Sequence, residues 1–366
     1  MRLALASGAE SPEAAELARA VSLRLLELGH ELLADTNQAE LVLHATSLER
    51  PSGNYMRAHG TVFVVTFFVS PSGVDWADME QLQQQTYRLL VQSLSNVVVH
   101  QVEAGPDGAA VYTMTPELGF RSYQAGAQLP QRLAEFIAPL AGARLVIENR
   151  LEQDLEPELC EPSGAALELI DHGRRLAALN LLPSVFDLSS VLSTRDLRLV
   201  QKLFGLRQLS YGNLSCRHDR RRFWMSGRGV DKGAMQRIGR DLLLVKGYDS
   251  ATGEIVVSVP RGTDPAARVS VDAIEHFKLY QRLPEVGAIV HVHAWLEGVN
   301  ATTQSWPCGS EALADEVLEL VLQQPDPTRA IVGLRNHGLT ITGPSLAEIF
   351  ERIDGKLIQN IPALVS

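Results

Sequence analysis

The chain has 366 residues, 45% of them hydrophobic and 21% charged, with a formal net charge of −10. That length exceeds one typical domain, and the composition is ample for two cores. The negative charge argues against nucleic acid or an anionic membrane as the natural partner, because gripping phosphates needs a basic face.

At the N-terminus MRLALASGAESPE has no long apolar core and turns acidic at once, so no signal peptide is expected. Residues 2–6 read as a short strand. Ser11, Pro12 and Glu13 make a good helix start: a capping hydroxyl, a proline in the first turn and an early carboxylate. That helix is expected to run to Leu28 and stop at Gly29. Strands follow at 31–34, 41–45 and 61–69; the longest apolar run, 62–69, is too short to cross a bilayer. A helix over 75–95, strands at 97–102 and 109–114, a helix at 130–140 and a strand at 144–147 complete the half. This βα alternation predicts a three-layer α/β domain with a largely parallel sheet over residues 1–150. The turn after the first strand, ASGAES, has one glycine, where a dinucleotide fingerprint needs three and a phosphate loop needs Gly-Lys. A docking, regulatory or oligomerising role is therefore preferred here over nucleotide binding.

Residues 148–162 are acidic, contain prolines and show no apolar period, which marks a domain boundary. A helix is expected at 164–179, then a mostly helical insertion over 183–209 that either covers a pocket mouth or only packs. The basic run HDRRR at 218–222 reads as a solvated hairpin tip. Asp272 opens VSVDAIEHF, where aspartate is a favoured N-cap. The apolar run GAIVHVHAW then ends in His291 and His293, two apart on one strand face and able to share a cation. His337, in Asn-His-Gly after the apolar run AIVGL, is the third histidine. Three neutral imidazoles with a fourth position open are the arrangement of a catalytic zinc site. Cys160, Cys216 and Cys308 supply neither a disulfide framework nor a Cys-x-x-Cys metal motif, which fits a reducing, cytoplasmic home.

Several motifs stand in register over about 200 residues. They are Gly212-Asn213-Leu214-Ser215, FWMSGRGVDKG at 223–233, Asp272 placed 19 positions before His291, HFKLYQRLPEVGAIVHVHA, Pro307-Cys308-Gly309 and NHGLTITGPSLAEIFERI. Through them the segment 163–366 resembles the class II aldolase and adducin head-domain family. The resemblance implies an α/β/α domain, a divalent zinc ion on His291, His293 and His337, and a homo-oligomer, commonly a tetramer. It places Asp272 where aldolases carry a metal-touching, proton-moving glutamate and related epimerases an aspartate. It places Gly212, Asn213, Arg228, Gly229 and Ser270 at the group that holds a substrate anion. Arg228 stands there for a hydroxyl residue; a guanidinium grips phosphate or carboxylate through paired hydrogen bonds, although a solvent-facing loop position is the competing reading. Lys232 is a second cation nearby. The epimerases' extra catalytic aspartate and the C-terminal tyrosine of many relatives have no counterpart. Trp295 and Trp306 are read as core more readily than as pocket walls, and His276 as packing behind the metal strand.

The first expectation is a metal-dependent lyase that cleaves a carbon–carbon bond of a small hydroxy or keto acid or a sugar phosphate, an aldolase or decarboxylase. A sugar-phosphate 4-epimerase is the second reading, and a catalytically idle oligomeric scaffold of adducin type the third.

Overall fold

In a computed structural model the described residues are 1–7, 11–51, 62–74, 76, 78–115, 119–179, 192–198, 212–358 and 361. The chain divides into two compact units: Met1–Gly142 with the described residues 192–198, and the rest of the described chain from Ala143 on. The insertion expected over 183–209 lies outside the described residues apart from 192–198.

The first unit runs β1 (Arg2–Ser7), α1 (Pro12–Glu27), β2 (Glu31–Leu33), β3 (Leu41–Ala45), β4 (Phe63–Val69), α2 (Met79–Gln92), β5 (Val97–Gln101), β6 (Val111–Thr115), β7 (Gly119–Tyr123) and α3 (Leu129–Gly142). Its sheet has the order β2-β1-β3-β4-β5-β6-β7, parallel through β5 and closed by an antiparallel β6–β7 hairpin. Alternate residues of β3, β4 and β5, including Leu43, Phe67 and Val99, meet α1 and α3 on one face. On the other face α2 packs on β5 and β6. The expected three layers and largely parallel sheet are present. The hairpin strand β7 was not expected, because GFRSY alternates weakly and all but Ser122 of it is half-buried. The glycine-poor turn after β1 includes residues 8–10, which lie outside the described residues.

The second unit adds β8 (Glu148–Glu152), α4 (Ala165–Ala178), β9 (Asn213–Arg217), β10 (Phe223–Ser226), β11 (Leu242–Asp249), β12 (Glu254–Ser258), α5 (Ala273–Arg282), β13 (Ala288–Val292), α6 (Glu311–Leu322), β14 (Ile331–Leu334), β15 (Gly338–Gly343) and α7 (Leu346–Ile353). The sheet order is β14-β15-β13-β9-β10-β11-β12-β8, antiparallel except that β8 joins the edge parallel to β12. One correction follows: the strand expected at 144–147 lies at Glu148–Glu152 and extends this second sheet. Its polar sequence ENRLE hid it, since an edge strand needs no apolar run on both faces. Helices α5 and α6 cover one face, with Ile289 and Phe223 beneath them, and α4 and α7 cover the other, with Val290 and Leu214. This is the expected α/β/α layering. HDRRR is a hairpin tip between β9 and β10, closed by the His218 amide donating to the Arg222 carbonyl. No described helix is long and apolar enough to cross a membrane.

Candidate metal centre

The site grows from strand alternation. On β13, Val290 and Val292 point into the α4–α7 core, so His291 projects with Ile289 toward α5. Pairing places Asn213 of β9 and Thr340 of β15 directly beside His291, one on each flanking strand. Three side chains therefore form a rung, Asn213–His291–Thr340, under the start of α5. Every second residue of β9 holds that helix in place. Asn213 Nδ2 donates to Asp272 Oδ2 at 2.6 Å, Ser215 Oγ meets His276 Nδ1 at 2.7 Å and the Tyr280 hydroxyl at 2.8 Å, and Arg217 donates to the Tyr280, Leu283 and Val286 carbonyls at 2.7–3.0 Å.

The third histidine comes from a tight turn. Asn336 takes φ +58°, and the His337 amide donates to the Leu334 carbonyl at 2.9 Å, closing the β14–β15 connection. Gly338 is required there because a Cβ would lie 2.2 Å from the Val292 carbonyl oxygen. His291, His293 and His337 thus converge, with ring centroids 4.6–5.1 Å apart and one nitrogen of each within 4.8 Å of the others. His291 Nδ1 donates to the Leu339 carbonyl at 3.0 Å, which fixes the tautomer and leaves a lone pair on Nε2. That Nε2 is buried and has no hydrogen-bond partner. Burial lowers the pKa of His291 and His293, keeping both neutral as ligands must be. These features fit a divalent cation.

Asp272 sits at the N-cap position of α5, as expected from the sequence, but its side chain makes no capping bond. It turns instead to Asn213 and leaves Oδ1 buried without a partner. Asn213, expected at the substrate anion, donates one of its two Nδ2 protons to this carboxylate. Gly212 and Gly229 have φ of +74° and +66°. Arg228 is half-buried and its amide donates to the Arg268 carbonyl, while the amide of the buried Ser270 donates to the Ser226 carbonyl. Lys232, 2% exposed, is more prominent than its sequence suggests. Burial pulls its pKa down to about 8 against the attraction of Asp272 and Asp231, and its charge is felt at both His291 and His293.

Three neighbours escaped sequence reasoning. Glu275, one turn beyond Asp272, is 2% exposed and accepts a 2.6 Å bond from the Thr340 hydroxyl. Cys308 Sγ lies 3.4 Å from His337 Nε2, although no base stands beside it in sequence. A carboxylate on the apolar face of AIEHFKLY was the available signal for Glu275; Thr340 and Cys308 gave none. Trp295 and Trp306 pack into the cores on opposite faces of the sheet, and His276 is wholly buried, its pKa pushed down to about 3 by burial and by His291.

Comparison with known proteins bears on the same region. Residues 197–301 match the sequence profile of the Class II Aldolase and Adducin N-terminal domain family. Methylthioribulose-1-phosphate dehydratase of Pectobacterium atrosepticum is 33% identical over 126 residues, 34% of this chain and 50% of that protein. The enzyme of the same name from Cronobacter sakazakii is 36% identical over 102 residues, 28% of this chain and 42% of that protein. The chain spans about half the length of the curated relatives it matches. Among solved structures, YgbL of Escherichia coli aligns with TM-score 0.34 and 16% identity over 51% of this chain and 82% of that one. An L-fuculose 1-phosphate aldolase aligns with TM-score 0.31 and 16% identity over 55% and 92%.

Proposed function

From a C-terminal part that carries the class II aldolase and adducin family's sequence signature, we propose that this protein is a divalent-metal-dependent lyase acting on a small anionic hydroxy-carbonyl compound. The observation that carries the reading is the convergence of His291, His293 and His337 within 4.8 Å, beside a buried carboxylate with a partner-free oxygen. These three histidines would hold zinc or a similar ion, which polarises a substrate carbonyl and stabilises the negative charge that develops there. The chain's own groups supply the rest. Asp272, oriented by Asn213, takes a proton from the carbon or hydroxyl next to that carbonyl through Oδ1. Lys232 adds positive potential, and Arg228 with Gly212, Gly229 and Ser270 forms the group that receives the substrate's phosphate or carboxylate.

Relatives named methylthioribulose-1-phosphate dehydratase support elimination of water from a ketose phosphate as a reading beside the carbon–carbon cleavage expected from the sequence. Both reactions need the same proton removal, so substrate decides between them. By resemblance the protein works as a homo-oligomer, which light scattering would test.

The experiment is elemental mass spectrometry on dialysed, zinc-reconstituted protein, followed by assay with methylthioribulose 1-phosphate and, in parallel, aldol donors. About one zinc per chain, with water eliminated from the pentulose phosphate, is expected. Asp272→Ala should then keep the metal and lose about 100-fold or more in turnover. Protein that holds no metal after reconstitution would overturn the reading and move the scaffold from third place to first.

A further inference from the structure

Asp272 stands at the first position of α5, so its place beside His291 depends on where the whole helix lies along the sheet. Three side chains on one face of β9 set that place. Asn213, Ser215 and Arg217 alternate with the core residues Leu214 and Cys216. They bond in that order to Asp272 at the N-cap, to His276 and Tyr280 along the helix, and to the Tyr280, Leu283 and Val286 carbonyls at its end. Strand and helix therefore run the same way with matched rises. Four residues of β9 advance about 13–14 Å, and the eight to eleven residues from Asp272 to Tyr280 and Leu283 advance about 12–17 Å.

Arg217 holds the far end. Because α5 stops at Arg282, the Tyr280 carbonyl belongs to the last turn, whose carbonyls have no partner within the helix. Arg217 Nη2 donates to the Tyr280 and Leu283 carbonyls at 3.0 Å each, and Nε donates to the Val286 carbonyl at 2.7 Å. A guanidinium suits this position, since its donors are fixed in one plane and its charge meets the negative end of the helix dipole. It also lies 4.6 Å from the centre of the Tyr280 ring, whose hydroxyl is bonded to Ser215. Tyr280 is thus gripped at ring, hydroxyl and carbonyl. The Arg217 amide donates to the carbonyl of Gly287, the residue before β13, at 2.8 Å. Residues 283–287 join the helix that bears Asp272 to the strand that bears His291, and Arg217 fixes both ends of this connection.

We propose that Arg217 is a positioning residue for the proton transfer: by clasping the C-terminal end of α5 and its connection to β13, it sets where Asp272 stands relative to His291. The proposal rests on the lyase reading above. Asn213 aims the carboxylate through its own bond, and Arg217 opposes the motion that bond alone leaves open, a slide of α5 along its axis. A slide of one residue is about 1.5 Å, and misplacing a reacting group by about 1 Å can cost about 100-fold in rate. The side-chain bonds of Arg217 go to backbone carbonyls, so its effect reaches the chemistry through Asp272.

Arg217→Met keeps the aliphatic stem and removes the side-chain donors. In the zinc-reconstituted full chain with methylthioribulose 1-phosphate, kcat per zinc-loaded chain should fall about 10- to 100-fold, with KM and zinc content unchanged. A kcat within about twofold of wild type overturns the proposal, since that factor is far below the cost of a misplaced group. In an Asp272→Asn background the same change should take nothing further from the residual turnover, because no carboxylate is left to place. Losses that multiply would show a role apart from Asp272 and overturn it equally. Arg217→Lys restores the charge without the planar fork and should recover part of the rate; it replaces Arg217→Met if that variant fails to fold. Hydrogen exchange read by mass spectrometry tests the clasp with no substrate. Amides of residues 272–283 should exchange about tenfold faster or more in Arg217→Met, with α4 and α7 on the other face of the sheet unchanged. Equal exchange along α5 overturns the proposal and leaves the lyase reading intact. If wild-type protein turns over neither this substrate nor the aldol donors, the lyase reading fails, and the exchange still decides whether Arg217 holds the helix of Asp272.

Discussion

His100 in the first unit and His291 in the second are both buried histidines on central strands, and their hydrogen bonds separate them. His100 is bonded at both ring nitrogens, Nε2 to the Ser70 hydroxyl at 2.9 Å and Nδ1 to the Thr86 hydroxyl at 3.0 Å. Thr86 spends its own proton on the Leu82 carbonyl at 2.7 Å. It can therefore only accept from His100 Nδ1–H, and Ser70 donates to Nε2. Trp76 packs edge-on against the ring. His291 has one nitrogen on the Leu339 carbonyl and the other without a partner. A buried polar atom left bare is costly unless something else binds it. The first histidine is complete within the fold, and the second keeps one buried nitrogen without a hydrogen-bond partner.

The sharpest way to break this contrast is His337→Ala. Zinc content should fall from about one per chain to near zero and turnover should vanish, whereas His100→Gln should retain both. Retained zinc in His337→Ala would show that the cluster is packing like His100. A smaller effect is expected from Asn213→Ala, which removes only the bond that aims Asp272. Turnover should drop roughly 10- to 100-fold at unchanged zinc content, and an unaltered rate would separate Asp272 from the chemistry. In the first unit, Ser70→Ala strips the partner from His100 Nε2 and should cost about 1–3 kcal/mol in urea denaturation without touching activity.

The smallest expected effect is in the pH dependence of stability. Burial holds the His100 pKa down from its ordinary 6.5 to about 4. Between those values the unfolded chain carries a proton that the folded chain does not, so stability falls as pH falls. The His100 contribution is complete above 6.5 and lost as pH drops through about 4. His100→Gln should flatten that part of the stability curve, read as the urea midpoint against pH. An unchanged slope would show that His100 is not the group responsible.

Much of the fold was legible because periodicity reports burial directly. The continuous runs VVV at 97–99 and AIVHV at 288–292 are strands covered on both faces, as expected of central positions. The edge strands β7 and β8, in GFRSY and ENRLE, carried too little apolar signal to be found. At the site, the spacing of His291 and His293 and the Asn-His-Gly turn of His337 were sufficient to name the histidines. The reading of Asp272 as a side-chain helix cap gave way to a bond with Asn213, across 59 positions of sequence.

By itself the sequence determined which strands are buried, where α5 begins and which three imidazoles can meet, because each depends on spacing within one element or one turn. Only the tertiary structure decided that Asn213, His291 and Thr340 share a rung, that α5 lays Asp272 and Glu275 on either side of it, and that Cys308 reaches His337. Those placements depend on strand register and on a helix docked over the sheet. A register shift of one residue would turn His291 to the opposite face, and no local pattern in the chain reports which residues of distant strands stand side by side.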